Sequence, residues 1–235
     1  MSYSTSVRLT LLFLCCFLSA CEDTKKGVAE KNETVSEATT SENTSEEIQG
    51  ERTKITSENM VQFLTDYGAK HPETKARIIT PYGDIELELY TDTPLHRANF
   101  VYLVKNKYFH DTFFHRVVPN FIIQAGNSDL RSTNAKRFEL GNAYLLPAEI
   151  NNRTHFYGSI SGAKEYRENP DKKSAPHEFF IFLGPKTSKA HLDGNYTVFA
   201  KVTKGMNVVE SIAKLPADEG QWPLQNVYIS IELID

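Results

Sequence analysis

The run Ile85-Glu-Leu-Glu-Leu-Tyr90 alternates apolar and charged residues without a break, and this constrains the fold more than any other feature of the chain. A period of two places Ile85, Leu87 and Leu89 on one face of a strand and Glu86 and Glu88 on the other. Just before it, residues 76–80 read Ala-Arg-Ile-Ile-Thr, and a Pro-Tyr-Gly-Asp turn joins the two runs. Strands joined by so short a turn form a hairpin, so the sheet is antiparallel and covers a core with one face. Further runs rich in β-formers follow at residues 112–118, 121–124, 156–160, 179–183, 197–202 and 226–233. Helical spacing interrupts them. Thr93-Pro94 opens one helix, with proline at the first helical position and Leu95, Ala98, Val101 and Val104 as its buried stripe. Another fits residues 206–214, with Val208, Val209 and Ile212 inward. A third is expected upstream, with Ser57 as N-cap, Met60, Val61, Phe63 and Leu64 along it, and an end near Gly68. Many short strands, two or three helices and glycine-marked turns point to a mostly β, antiparallel barrel closed by helices.

The barrel does not account for the whole chain of 235 residues. Residues 7–21 carry a basic residue, a short apolar run and then small residues before a cysteine, the layout of an export signal and too short to span a membrane. The ending Leu18-Ser19-Ala20-Cys21 looks like a bacterial lipobox, so residues 1–20 are expected to be a signal peptide and Cys21 to be acylated. Residues 21–57 are polar and mixed, with no aromatic side chain before Phe63, and read as a disordered tether. Residues 58–75 then form a helical extension, and 76–235 the barrel domain. All three cysteines, Cys15, Cys16 and Cys21, precede the folded part, so an exported domain of this kind stands on its core without a disulfide framework. The expected location is the cell envelope, held to a membrane by lipid and facing the periplasm or the surface. A net charge of −4 and no basic stripe argue against a nucleic-acid partner.

The chemistry concentrates in residues 108–126. Arg116 sits there among aromatic and branched side chains, with Gln124 eight residues on. A permanently charged fork with five N–H donors is costly against apolar surface unless those donors are occupied. Asp111 lies an odd number of residues back and on a strand points the other way. Either a distant carboxylate pairs with Arg116, or its partner is a ligand. His115 invites a general-base reading, but alternation turns it to the face opposite Arg116. His96, His110, His155, His177 and His191 show no metal-ligand spacing, so neither a metal nor a cofactor is expected.

Four blocks in order resemble the cyclophilin-type peptidyl-prolyl isomerases: Tyr82-Gly-Asp-Ile-Glu-Leu-Glu-Leu-Tyr with Thr93-Pro-Leu-His-Arg-Ala-Asn-Phe; Phe114-His-Arg-Val-Val-Pro-Asn-Phe-Ile-Ile-Gln-Ala-Gly; Glu178-Phe-Phe-Ile; and His191-Leu-Asp-Gly-Asn-Tyr-Thr-Val-Phe-Ala-Lys-Val with Gly205-Met-Asn-Val-Val. The resemblance covers about residues 77–235 and implies a closed eight-stranded barrel capped by two helices, here with an extra N-terminal helix. It implies isomerisation of X–Pro bonds, with Arg116, Phe121 and Gln124 as catalytic residues and Gln124 also helping to hold Arg116. The peptide-binding positions it implies are Phe114, Val118, Ile122, Ala163, Lys164, Glu178, Phe180, His191, Leu192 and Tyr196. Phe121 and Ile122 share a pocket only if the chain bends near Pro119-Asn120. The implied partners are proline-containing unfolded or exported polypeptides, and the protein is expected to act as a monomer.

Some positions depart from the family. Ile122 stands where methionine is common, Tyr196 where histidine is frequent, and Ala125 in place of the first of two glycines. His191 replaces a tryptophan that supports cyclosporin binding, so weak binding of that inhibitor is expected. Glu178 replaces a glutamine and cannot donate, so one substrate hydrogen bond is lost or reversed; a carboxylate there can also pair with Arg116. Lys164 stands where asparagine is common, and residues 165–176 look like an inserted mobile loop. These departures motivate a second reading, a non-catalytic proline-peptide chaperone of the envelope.

Overall fold

The computed structural model describes residues 53–164 and 169–235; the leader, Cys21 and most of the tether lie outside them. Eight strands form a closed, wholly antiparallel barrel in the order β1-β2-β7-β5-β6-β4-β3-β8. The strands are β1 Lys75–Thr80, β2 Gly83–Leu89, β3 Thr112–Val118, β4 Ile122–Asn127, β5 Ser159–Gly162, β6 Phe179–Phe182, β7 Val198–Lys204 and β8 Val227–Leu233. The helices are α1 Met60–Lys70, α2 Pro94–Lys105, α3 Arg131–Leu140 and α4 Met206–Ala213, with a short 3-10 turn at Ser188–His191. The β1–β2 hairpin forms as its sequence requires, although its tip is Pro81-Tyr82 and Gly83 already pairs with Thr80. Ile85, Leu87 and Leu89 are buried inside, with Glu86 and Glu88 outside.

Helix α2 is buried nearly all round instead of along one stripe. Its inner side meets the barrel core, where Phe100 packs on Phe109, Phe179 and Phe199. Its outer side is covered by α1. Arg97 donates to the carbonyls of Gly68 (3.0 Å) and His71 (2.8 Å), which the end of α1 leaves without intrahelical partners. At the same N-terminal end of α2, the Glu149 carboxylate accepts from the backbone N–H groups of Leu95 and His96, each at 2.9 Å, where the helix end is electropositive. Gly68 therefore does not stop α1, which runs two residues further. A β-carbon on Gly68 would sit 3.0 Å from that of Ala98, so the glycine allows the helices to approach.

Two expectations at the N-terminal side change. Asn59 and not Ser57 stands at the N-cap of α1, and the turn before it is closed by a reciprocal pair, Thr56 N–H to Asn59 Oδ1 (2.8 Å) and Asn59 N–H to Thr56 Oγ1 (3.4 Å). Residues 53–57 are no tether. Ile55 is 1% exposed and its N–H bonds to the Leu140 carbonyl at 3.0 Å. The expected mobile loop is likewise anchored over 169–176: Ser174 exchanges both backbone bonds with Leu146, and the Ala175 N–H meets the Ala163 carbonyl.

Strand β3 carries the irregularity that matters. Phe114 pairs with Ala125 and Arg116 with Gln124, so His115 is an extra, bulged residue. The bulge resets alternation. Phe114 and Val117 belong to the barrel core, while Arg116 and Val118 face outward.

Candidate active site

A second apolar cluster lies on the outside of the barrel wall. Ile122, Ala163, Phe180, Phe182 and Leu192 are buried in it, with Val118, Phe121 and Tyr196 packed against them. Strand β6, Phe-Phe-Ile-Phe, supplies both faces: Phe179 and Ile181 fill the barrel, Phe180 and Phe182 the outer cluster. The required bend exists, with Asn120 at φ 58° and the Phe121 N–H bonded to the Val118 carbonyl. Phe180 is braced from behind by His155, stacked 3° from parallel at 6.1 Å. The His155 ring is tied to Asp193 (2.8 Å) and Ser161 (2.9 Å), and burial lowers its pKa, so it stays neutral, donating to the carboxylate and accepting from the hydroxyl.

This cluster floors a groove of about 1240 Å³ lined by Arg116, Phe121, Ile122, Gln124, Ala163, Lys164, Glu178, Phe180, Leu192 and Tyr196 among others. Ten of the positions implied by resemblance thus converge. Three do not line it. Phe114 is fully buried in the barrel core because of the bulge; Val118 supports the cluster from beneath; His191 is exposed at the end of the 3-10 turn. The Lys164 ammonium lies 4.5 Å above the Tyr196 ring, a cation–π contact at the rim.

Arg116 has a neutral partner. Its Nε–H donates to Gln221 Oε1 at 2.7 Å, and among the described residues no carboxylate lies within ion-pair distance. Gln124 does not hold it: the Gln124 amide donates to Glu178 Oε2 at 2.9 Å. Nor does Glu178 pair with Arg116. It sits 3.5 Å from His115 Nε2 and 3.5 Å from Arg137 Nη2. Burial pushes the Glu178 carboxyl up, but the His115 bond and charge, the Arg137 charge and the Gln124 amide together hold it below the usual range. His115 therefore lies beside Glu178 on the outer surface and not on the face opposite Arg116, again because of the bulge.

The far wall of the groove was not legible in the sequence. Asn134, Arg137 and Phe138 of α3 line it, with Tyr144 and His177. The sequence of α3 is polar all round, so periodicity is silent; Gly141 directly after it is the one available stop signal. The Arg137 Nε–H donates to the Tyr108 hydroxyl (2.7 Å), which donates on to the Gly126 carbonyl (2.8 Å). Burial keeps that phenol protonated, its pKa pushed up to about 12. His177 lies between Tyr108 (4.7 Å) and Tyr144 (6.0 Å) with its Nε2 unpartnered among the described residues. Burial, and then the Arg137 charge, push its pKa down to about 3.

The arrangement sets an apolar pocket beside a fixed cation, and the chain as a whole is similar to known proteins. The family profile described as cyclophilin type peptidyl-prolyl cis-trans isomerase/CLD matches residues 75–232. A peptidyl-prolyl cis-trans isomerase of Acinetobacter baylyi is 38% identical over 147 residues, 61% of this chain and 73% of that one. Peptidyl-prolyl cis-trans isomerase A of Dickeya dadantii is 33% identical over 159 residues, 66% of this chain and 78% of that one. The crystal structure of a Cryptosporidium parvum cyclophilin type isomerase superposes with a TM-score of 0.58 at 26% identity, covering 69% of this chain and 98% of that one; the same isomerase, determined in the presence of the dipeptide Ala-Pro, gives 0.57. With 158 consecutive residues matched, a closed eight-stranded barrel and an arginine beside an apolar pocket, this chain belongs to the cyclophilin-type peptidyl-prolyl cis-trans isomerases.

Proposed function

We propose that the isomerase works through Arg116 and serves exported proteins. Turning an X–Pro bond means losing amide resonance against a barrier of ~18–20 kcal/mol. No covalent bond to the enzyme forms and no proton moves, so neither nucleophile nor general base is needed. The apolar floor of Phe121, Ile122, Phe180 and Leu192 takes the proline ring. Arg116 then holds the prolyl carbonyl and donates toward the imide nitrogen, whose lone pair is available only in the twisted state. That contact is stronger in the transition state than in the ground state, the condition for catalysis. The observation that carries this reading is the neutral partner of Arg116: the guanidinium is fixed at Nε, keeps its full charge, and lines the groove beside the ring site.

The export leader and Cys21 support a lipid-anchored place in the cell envelope, where proline-limited steps otherwise take about 10–100 s. Proline-containing exported polypeptides are then the substrates, met by a monomer held to the membrane by acyl chains. The test is acceleration of a proline-limited refolding phase by the full chain. Arg116→Ala should lower kcat/KM by about 10²-fold, the cost of losing one preorganised donor, while the urea midpoint stays close to wild type. A wild type that binds proline peptides without accelerating the phase makes the protein a chaperone and sinks the catalytic reading. Retained acylation after Cys21→Ser would overturn Cys21 as the anchoring residue, and a wild type without acyl chains would overturn the anchor.

A further inference from the structure

We propose that Gln221 is a positioning residue for Arg116, which aims the guanidinium without neutralising it; this rests on the catalytic role of Arg116 given above. The two residues lie 105 positions apart, and the contact is made by the loop between α4 and β8. That loop is registered against β3 at the same place. The Gln221 carbonyl accepts the N–H of Val117, the residue after Arg116, at 2.8 Å, while the Gln221 side chain accepts the Arg116 Nε–H at 2.7 Å. Backbone and side chain of one residue therefore clamp two consecutive residues of the catalytic strand.

The loop is built to present this side chain. The Gln221 N–H bonds to the Asp218 carbonyl at 3.0 Å, and the Asp218 N–H to the Trp222 carbonyl at 2.9 Å. Asp218 Oδ1 also accepts the Trp222 N–H at 2.9 Å. Trp222 packs edge-on to Phe113 (5.4 Å) and against His115 (5.9 Å), seating the loop on the bulged strand. Gln221 itself has φ 67°, the left-handed region that residues with a β-carbon enter at a cost. Gly220 directly before it has the freedom such a turn favours, yet the strained position carries the longer side chain, and that side chain bonds to Arg116.

The chemistry explains an amide at this point. A carboxylate would hold the fork as well but would cancel much of the charge that acts on the substrate. A neutral acceptor on Nε restricts a flexible side chain and leaves the terminal N–H groups for the peptide, so less freedom is lost when substrate is engaged. Gln124, implied by resemblance for this task, spends its amide on Glu178.

The experiment is a double-mutant cycle in the full chain, with Gln221→Met and Arg116→Lys, read by proline-limited isomerisation. Methionine keeps length and removes the acceptor; lysine has no Nε–H. Gln221→Met should lower kcat/KM about tenfold alone and less than about twofold in the Arg116→Lys background. A second readout needs no turnover: the Arg116 Nε–H proton resonance should lose its hydrogen-bonded shift in Gln221→Met. Emission of Trp222, the one tryptophan in the chain, should stay unchanged and show the loop in place. Equal losses in both backgrounds, an unmoved Nε–H resonance, or a shifted Trp222 emission overturns the proposal. If Arg116→Lys has no measurable turnover, the resonance decides. A wild type without isomerase activity removes the catalytic reading but leaves the resonance test of the clamp standing.

Discussion

His177 sets a quantitative expectation for acid sensitivity. Its pKa is pushed down to about 3 in the fold from an ordinary 6.5, because burial and the Arg137 charge both oppose a proton there. A depressed histidine contributes stability that is fully present above pH 6.5 and is lost as pH falls toward 3, since only the unfolded chain takes up the proton. Between pH 8 and pH 5 that uptake integrates to about 2 kcal/mol, with a slope approaching ~1.4 kcal/mol per pH unit. This is a large share of a typical stability of about 5–15 kcal/mol. The perturbation is His177→Phe, which keeps a flat ring between Tyr108 and Tyr144 and removes both the titration and the unpartnered Nε2. Urea unfolding at pH 8 and pH 5 reads the outcome. His155 is shifted in the same direction, so the difference between wild type and variant isolates His177: wild type should lose about 2 kcal/mol more over the interval. If the two proteins lose stability in parallel, His177 is not held neutral by its surroundings and the reasoning fails.

Glu178→Gln should cost about 1–3 kcal/mol at pH 7 by leaving Arg137 and His115 without their carboxylate. Because the folded Glu178 pKa is lowered, its contribution is present above pH 4.5 and fades as pH drops below it, so the deficit should shrink in acid. Turnover should stay within about threefold of wild type, since Glu178 touches neither Arg116 nor Gln221 and a glutamine there still offers an acceptor to the Gln124 amide; a loss as deep as that of Arg116→Ala would refute this separation. Gly141→Ala places a β-carbon 2.2 Å from the Ile55 carbonyl at φ 121°. It should destabilise the 53–59 strap by about 2 kcal/mol or more, read as faster tryptic cleavage after Lys54 with the barrel intact.

Local patterning carried most of the fold. Alternation in β2, proline at the start of α2 and the stripe of α4 are legible because each follows from the geometry of one element. Helix α3 was not, since Arg-Ser-Thr-Asn-Ala-Lys-Arg-Phe-Glu-Leu has no apolar face and its packing partners, Ile55 and Glu178, are remote in sequence. The pocket floor was legible by resemblance: Phe121, Ile122, Phe180 and Leu192 all reach it.

The sequence by itself determined which residues could line a groove, because side-chain chemistry and strand period belong to short segments. The tertiary structure alone decided which of them face it and what holds them. One bulged residue at His115 sent Phe114 into the barrel and turned Arg116 outward, and a loop 105 residues away supplied the neutral acceptor. Such outcomes depend on inter-strand register and loop closure, which arise from packing the whole chain and leave no periodic trace in any single stretch of it.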